Sequence, residues 1–330
     1  MRLLVLGGTA FLSRATAAEA VRRGHDVVCA CRGETGTVPD GATLVRWDRA
    51  AHAEPPDGLR GERFDAVVDV ARHPSWVRHA VAAFPGAHWV FVSTVNVYDD
   101  ESTPGLRPDT STLVDAVHTD EDLATGPEQY GPMKVGCEEA VTAGAASSVL
   151  VRPGLIVGPG DPTSRYGYWP ERLAEGGEAL AGGEPGDSTQ VIDVRDLAAW
   201  LVLLAERRTP GAFDGVGPTT TTGRLLDETA AGVGSTAALT WVPGAFLTEQ
   251  GVEPWMGDSA LPMWLPRPEY DGMTARDASP SLDAGLVVRP VAETARDTLA
   301  WLRERPEVRR TGLSREHEQQ VLAAWHGRSG

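Results

Sequence analysis

The sequence RLLVLGGTAFLSRATAAEAVRRG, residues 2–24, places an apolar run directly before two glycines and a helical pattern directly after them. The run at 3–6 has the length and composition of a buried strand. The pattern at 11–23 is that of a helix that ends at Gly24. A strand, a glycine turn and a helix in this order bind a dinucleotide pyrophosphate, because backbone N–H groups of the turn face the phosphates. We therefore expect dinucleotide contacts from Gly7, Thr9, Ala10, Phe11 and Leu12.

Short apolar runs continue to alternate with helical patterns up to about residue 150. Further strands are predicted at 26–31, 43–46, 66–70, 89–93 and 148–151, and further helices at 75–84 and 127–146. Strands that alternate with helices in this way predict an α/β fold built on a doubly wound, parallel, Rossmann-type sheet.

The second half of the chain differs in composition: it has glycine- and proline-rich loops and many of the tryptophans. We predict a dinucleotide-binding domain at 1–155, to which 187–217 returns, and a smaller, split substrate-binding lobe at 156–186 and 218–330. The polar, acidic stretch 99–125 is predicted to be a long loop over the active site.

The segment YGPMK, residues 130–134, places a tyrosine and a lysine four residues apart. On a helix these two side chains share a face, and an ammonium group beside a phenol lowers its pKa. A phenol tuned in this way exchanges a proton with a substrate oxygen. We therefore expect Tyr130 and Lys134 to be catalytic. Pro132 belongs in the first turn of a helix, so the helix either begins near 129–130 or is kinked there.

The end of the second strand bears on the choice of cofactor. A site that prefers NAD carries Asp or Glu there for the ribose hydroxyl, whereas this chain has Cys31 followed by Arg32. A guanidinium group pairs well with the 2′-phosphate of NADP, so NADP is the favoured cofactor and NAD the alternative. Asp48, after the third strand, is either an acceptor for the adenine amino group or a turn residue.

The composition excludes several classes of protein. With 30 basic and 46 acidic residues the formal charge is −16, which argues against nucleic-acid and anionic-membrane partners. Three sparse cysteines indicate a reducing, cytoplasmic location rather than disulfides, and no histidines stand at metal-ligand spacing. No apolar run approaches the roughly 18 residues of a membrane span. A small-molecule substrate is expected, and a homodimer is compatible with the sequence.

Five motifs in order resemble those of the extended short-chain dehydrogenase/reductases, often described as NAD-dependent epimerases/dehydratases. They are LVLGGTAFL (4–12), VSTVNVY (92–98), YGPMK (130–134), VRPGLIVGP (151–159) and IDVRDLA (192–198). The resemblance covers most of the chain and is specific for the superfamily rather than for a substrate. The chain departs from the glycine pattern of the family at Ala10 and Ser13, which narrows the approach of the pyrophosphate.

The resemblance implies a role for further residues. Thr94 falls on the catalytic Ser/Thr of the family, Tyr130 on its tyrosine, and Lys134 on the lysine that also holds the nicotinamide ribose. The remaining positions implied near the cofactor are Val70, Ala71, Arg72, Pro153 and Leu155.

We accordingly predict an NAD(P)-dependent oxidoreductase that transfers hydride between nicotinamide and a carbonyl or hydroxyl substrate. A nucleotide-sugar epimerase with tightly bound NAD(P) is the first alternative, and a non-enzymatic RNA-binding relative is the second. Family members that dehydrate sugars resemble this chain but carry Asp-Glu after the threonine, where Val95 and Asn96 stand here, so dehydration is disfavoured. The residues expected to contact substrate are Asn96, Arg165, Tyr168 and Trp169.

Overall fold

The computed structural model of the protein describes residues 1–328. The strands of this part of the chain are β1 (Arg2–Leu6), β2 (Asp26–Cys31), β3 (Ala42–Arg46), β4 (Ala66–Asp69), β5 (His88–Val92), β6 (Ser147–Pro153), β7 (Leu155–Val157), β8 (Glu178–Gly182), β9 (Ser188–Thr189), β10 (Val191–Asp193), β11 (Gly211–Gly215), β12 (Thr220–Thr221), β13 (Ala238–Val242), β14 (Glu253–Trp255) and β15 (Ala260–Pro262). The helices are α1 (Phe11–Arg22), α2 (Pro74–Ala83), α3 (Tyr130–Gly144), α4 (Tyr168–Ala174), α5 (Val194–Arg207), α6 (Thr222–Val233), α7 (Gly244–Glu249), α8 (Ser279–Asp283), α9 (Val291–Arg303) and α10 (Arg315–Gly327).

A seven-stranded parallel sheet with the order β11-β6-β5-β4-β1-β2-β3 forms the centre of the molecule. From β1 the chain builds outward to β2 and β3 on one side, and then crosses to β4 and the remaining strands on the other side. The carboxyl ends of β1 and β4 therefore flank the point where the strand order reverses, which is where open α/β sheets bind ligands. This topology confirms the predicted doubly wound α/β fold.

Helices cover both faces of the sheet, and alternate residues of the central strand reach the two layers. Leu3 and Val5 join the core beneath α1 and α5, and Leu4 and Leu6 join the core beneath α2 and α3. All four side chains are fully buried. A strand that is apolar on both faces is expected at the centre of a parallel sheet.

A second lobe follows β6 and has its own core. It is built on the paired strands β8 and β13 with α4, α6, α9 and α10, and its buried residues include Leu225, Trp264 and Val321. Between segments of this lobe the chain returns to the central sheet, where α5 packs against α1 and β11 extends the sheet beside β6.

The helix α3 begins at Tyr130, directly after a 3₁₀ turn at 127–129. Pro132 is thus the third helical residue, where its missing N–H group has no intrahelical partner to lose. The sequence left two alternatives here, and the structure shows the helix start rather than a kink. Among residues 1–328, no helix is long and apolar enough to cross a membrane.

Candidate active site

The glycine turn after β1 is held by one serine. Gly7 and Gly8 have φ of +139° and +106°, in the region that favours glycine, and a Cβ on Gly8 would lie 2.5 Å from Cys29 Sγ. Ser13 Oγ accepts a hydrogen bond from Gly8 N at 3.0 Å and donates one to Ala10 O at 2.9 Å. The buried Ser13 side chain therefore turns back into the loop, and the Ala10 side chain is exposed.

A cleft of about 590 Å³ lies at the carboxyl edge of the sheet, within the range of about 300–1,000 Å³ for small-molecule and cofactor sites. The predicted cofactor residues that line it are Gly7, Thr9, Ala10, Arg32, Asp48, Val70, Ala71 and Arg72. Residues from four segments that are far apart in the sequence thus meet in one cleft, as a dinucleotide site requires.

Five predicted cofactor residues lie outside the lining of this cleft, and one of them, Lys134, donates to Ala71 O of the lining. Leu12 is buried in the core beneath α1, and Leu155 is buried in the core of the second lobe. Phe11 lines a neighbouring groove, and Pro153 is the last residue of β6. The side chains of Leu12 and Leu155 therefore pack in the two cores, and the cofactor contacts predicted for these two residues stay a prediction.

Two of the predicted cofactor residues in the lining, Arg32 and Asp48, also contact other residues of the protein. The Arg32 side chain is 52% exposed, and its Nε lies 3.4 Å from Glu34 Oε2. Asp48 lines the cleft and also accepts a hydrogen bond from Ala50 N at 3.0 Å, so it is a turn residue that borders the site.

Arg49, which lines the cleft, forms an ion pair with Asp69 that the sequence analysis did not predict. Arg49 donates to both carboxylate oxygens of Asp69, at 2.8 and 3.1 Å, and Asp69 is fully buried. Asp69 Oδ1 also accepts from Ala71 N at 2.9 Å, so the pair fixes the backbone that follows β4. An acidic residue at the end of an apolar parallel strand was the available signal.

Thr94 follows β5 and is oriented by the turn that it begins. Its Oγ1 accepts from Asn96 N at 3.2 Å and donates to Asn96 Oδ1 at 2.9 Å. Thr94 is buried, whereas Asn96 is exposed. Gly131 allows α3 to approach this turn, because a Cβ on Gly131 would lie 2.1 Å from Asn96 O. The close contact brings Tyr130 to Thr94.

Tyr130 is a partly buried residue with two arginines near its phenol. Burial raises its pKa, while a hydrogen bond with Thr94 and the charges of Arg72 and Arg165 act in the opposite direction. The sequence analysis assigned the lowering of this pKa to Lys134. The principal cations that lower it are instead Arg72 and Arg165, which stand outside the motif.

Lys134 lies one helical turn after Tyr130 and is only 2% exposed. Its Nζ donates to Ala71 O at 2.7 Å and to Val92 O at 2.5 Å, and it lies 4.5 Å from the centre of the Phe91 ring. Burial lowers the pKa of Lys134 to about 8. The ammonium group thus ties α3 to the ends of β4 and β5, next to the cleft.

Arg165 reaches the same region from the second lobe. Burial lowers the pKa of its guanidinium, Tyr130 and Asp161 are its nearby acidic groups, and its Cζ lies 4.8 Å from the centre of the Trp255 ring. Within residues 1–328 it has no carboxylate at ion-pair distance. Tyr168 and Trp169 do not reach the site: both are buried in the core of the second lobe, and Trp169 Nε1 donates to Pro262 O. Their predicted substrate contacts are corrected to packing.

The chain is similar to known proteins in sequence and in structure. A relative from Kitasatospora kifunensis named dTDP-6-deoxy-L-talose 4-dehydrogenase (NAD(P)(+)) is 28% identical over 274 residues, which cover 73% of this chain and 82% of that protein. No model of a protein family matches the sequence.

Two solved structures illustrate the structural likeness. The Bordetella bronchiseptica enzyme WbmH in complex with NAD⁺ has a TM-score of 0.65 at 17% identity, over 92% of this chain and 98% of that one. UDP-glucose 4-epimerase from Thermotoga maritima with UDP-glucose has a TM-score of 0.61 at 16% identity, over 92% and 99%. At such identities the likeness establishes the fold. No cluster of three or more potential metal ligands occurs among residues 1–328.

Proposed function

We propose that the chain, which has the fold and resembles the motifs of the extended short-chain dehydrogenase/reductases, is an NAD(P)-dependent oxidoreductase that acts on a nucleotide-activated sugar. The observation that carries the proposal is the placement of three residues beside the cleft. Tyr130 hydrogen-bonds with Thr94, and Lys134, one helical turn after Tyr130, donates to Ala71 O in the lining of the cleft. The sugar-nucleotide class is supported by the name of the Kitasatospora relative.

The residues present fit a dinucleotide. The glycine turn leaves the end of β1 open to a pyrophosphate, and Arg32 and Arg72 supply positive charge at the edge of the cleft. When bound, the nicotinamide ring supplies or accepts the hydride. Lys134 is the residue that would hold the nicotinamide ribose, next to Ala71 O.

Tyr130 and Thr94 carry the proton chemistry. In the direction of reduction, the Tyr130 hydroxyl donates a proton to the substrate oxygen as hydride reaches the carbonyl carbon, and the Thr94 hydroxyl hydrogen-bonds to that oxygen. Because burial raises the Tyr130 pKa, the phenol keeps its proton near neutral pH and is ready to act as the acid.

For the cofactor we propose NADP over NAD. Arg32 lies at the end of β2, where the 2′-phosphate of NADP would be placed, and its partner Glu34 is exposed and easily exchanged for a phosphate. For the substrate we propose that Arg165 binds an anionic or oxygen-rich group, because this half-buried guanidinium lies near Tyr130 without an ion-pair partner in the described chain.

The test is turnover of a panel of dTDP- and UDP-linked sugars in keto and hydroxy forms with NADPH, NADH and their oxidised forms. The proposal predicts stoichiometric change in the absorbance of the reduced nicotinamide. Interconversion of two sugars without net change in the cofactor would favour the epimerase alternative. The absence of both reactions across the panel would contradict the proposal.

A further inference from the structure

The neighbouring strand β3 brings a second arginine to the loop that follows β2. Arg46 is the last residue of β3, and in the register of the parallel pair it stands opposite Cys31, the last residue of β2. Partners in such a register leave the sheet on the same face. Cys31 lines the cofactor cleft, so Arg46 begins beside the position where a site for NAD carries an acidic residue.

The guanidinium group of Arg46 lies against the loop that Arg32 begins. Its Nη1 donates to Arg32 O at 2.7 Å, and a Cβ on Gly33 would lie 3.3 Å from the same nitrogen. Arg32 and Gly33 both line the cleft. Arg46 lines an adjoining surface hollow of about 480 Å³, which shares Trp47 and Asp48 with the cleft. The guanidinium group is therefore at the rim of the cleft and is open to a ligand.

Most of the hydrogen-bond donors of Arg46 remain free. The residue is exposed, and the bond to Arg32 O is the one hydrogen bond that its side chain makes within residues 1–328. No carboxylate of that part of the chain lies within ion-pair distance of it. Arg32, by comparison, has Glu34 at 3.4 Å. Two arginines and one glutamate thus surround the 32–34 loop, and this rim is positive on a chain whose formal charge is −16.

We propose that Arg46 is a second ligand of the 2′-phosphate of NADP and binds this group together with Arg32. The inference rests on the proposed preference for NADP and extends it to a residue of β3. Guanidinium groups donate in a fixed, planar geometry, so two of them on separate strands fix the position of a phosphate as well as attract it. The second cation also offsets the repulsion between Glu34 and the phosphate.

The test compares the binding of adenosine 2′,5′-bisphosphate and AMP, because these probes differ only in the 2′-phosphate and require no sugar substrate. Calorimetry gives the Kd of both. Arg46→Ala is expected to weaken the bisphosphate roughly ten- to fiftyfold, as for a lost charge-assisted hydrogen bond, and to change the Kd of AMP less than about twofold. Arg46→Lys keeps the charge and should lose less than about fivefold. Arg63→Ala, at an exposed arginine before β4 and at the opposite edge of the sheet, is the matched control.

A double variant separates direct binding of the phosphate from a role in positioning Arg32. If Arg46 acted only by holding Arg32 O, Arg46→Ala would have no further effect once Arg32 is replaced by alanine. The inference predicts instead that Arg32→Ala combined with Arg46→Ala binds the bisphosphate more weakly than either single variant, with the Kd of AMP still near the wild-type value.

Three outcomes would overturn the inference. They are an unchanged Kd of the bisphosphate in Arg46→Ala, equal weakening of the bisphosphate and AMP, and a double variant that binds no more weakly than Arg32→Ala. The last two would make Arg46 a residue that shapes the loop. A wild type that binds the bisphosphate no more tightly than AMP would contradict the proposed preference for NADP itself, so the two failures are distinguishable.

Discussion

Lys134 is a buried ammonium group whose protein partners are two backbone carbonyl oxygens, Ala71 O and Val92 O. Neutral carbonyls compensate the loss of hydration only in part, so burial lowers the pKa of Lys134 to about 8, against an ordinary 10.5. The nearby acidic groups that oppose this shift are Cys137, Asp69 and Glu138. Below about pH 8 the residue is a cation, and above it the charge is lost in the folded protein.

We therefore predict that NADPH affinity falls as the pH rises from 7 to 9, with a midpoint at about 8, because Lys134 then loses its charge. Lys134→Met should bind NADPH more weakly, with the dependence at this midpoint removed. Fluorescence titration of NADPH measures both effects. A wild-type affinity that is constant from pH 7 to 9 would contradict the prediction.

The same pKa shift affects folding stability. Between pH 8 and 10.5 the unfolded chain holds the Lys134 proton and the folded chain does not, so the contribution of Lys134 to the free energy of unfolding rises with pH.

Among single residues, the sequence allowed prediction of those that stand at a characteristic spacing from one another. Tyr130 and Lys134 are one helical turn apart, so a local pattern reveals them. The groups that act on Tyr130 were not recognisable in the same way. Arg72 and Arg165 reach it from separate loops, and the Arg49–Asp69 pair forms only when two strand ends meet. Such partnerships depend on tertiary geometry that no local spacing encodes.

The end of β2 illustrates how one element can determine cofactor choice. Arg32 and Glu34 lie in the same short loop with side chains 52% and 64% exposed, so their mutual attraction is weak and a phosphate can displace it. The Glu34 carboxylate also repels a 2′-phosphate. The two residues thus pull cofactor preference in opposite directions.

We predict that Arg32→Ala weakens NADPH binding by about 1–3 kcal/mol more than NADH binding, through the loss of a charge-assisted hydrogen bond. Glu34→Gln should leave NADPH binding equal or tighter. Calorimetry with both cofactors measures this, and Arg309→Ala, an 81% exposed arginine of the other lobe, is the control. Equal affinity of the wild type for NADPH and NADH would sink the prediction.

The close packing of α3 against the turn after β5 depends on Gly131. In Gly131→Ala the new Cβ would lie 2.1 Å from Asn96 O, so the helix or the turn must move. We expect a loss of about 1–3 kcal/mol in the free energy of unfolding, as for overpacking, and a fall in kcat because Thr94 and Tyr130 separate. Denaturant titration and turnover check both effects. Gly327→Ala in α10, where a Cβ meets nothing within 4 Å, should be nearly neutral, and a neutral Gly131→Ala would contradict this account.

The inner strands of the central sheet, such as β1 and β5, were predictable because their uniformly apolar residues form short runs between turns. Pro132 left two alternatives for α3, a start near 129–130 or a kink, and only the structure shows that the helix begins at Tyr130. The second lobe was harder, since β9 and β12 have two residues each and cannot display a period of two. Tyr168 and Trp169 were misjudged there, because an aromatic pair beside a loop looks alike whether it faces a ligand or a core.

The whole molecule is tied together by a buried polar network that no single segment reveals. Arg276, from the second half of the chain, donates to Asp214 of β11 at 2.6 Å, and both side chains are 1% exposed. Tyr98 donates to the same carboxylate at 2.6 Å, and the Arg276 Cζ lies 3.6 Å from the centre of its ring. Arg276 also donates to Ser111, so the network ties the 99–125 loop to β11.

We predict that Arg276→Met lowers the free energy of unfolding by about 3–5 kcal/mol, because it leaves Asp214 charged and buried. Arg276→Met combined with Asp214→Asn should recover part of this loss, since no unpaired charge remains. Arg296→Met, at a 63% exposed arginine, should change stability by less than about 0.5 kcal/mol. Denaturant titrations of the variants measure these differences, and a loss below about 1 kcal/mol for the single variant would refute the role of the network.

The central claim is that Tyr130 passes the proton that accompanies hydride transfer, and Tyr130→Phe tests it most directly because only the hydroxyl is removed. The measurement is kcat with the best nucleotide sugar, together with the Kd of NADPH and the Tm. We predict that kcat falls at least about 100-fold, in line with the usual contribution of general acid–base catalysis, while the Kd and the Tm stay near the wild-type values. A variant that keeps more than about a tenth of the wild-type kcat would contradict the claim, because general acid catalysis of this kind is worth more than that.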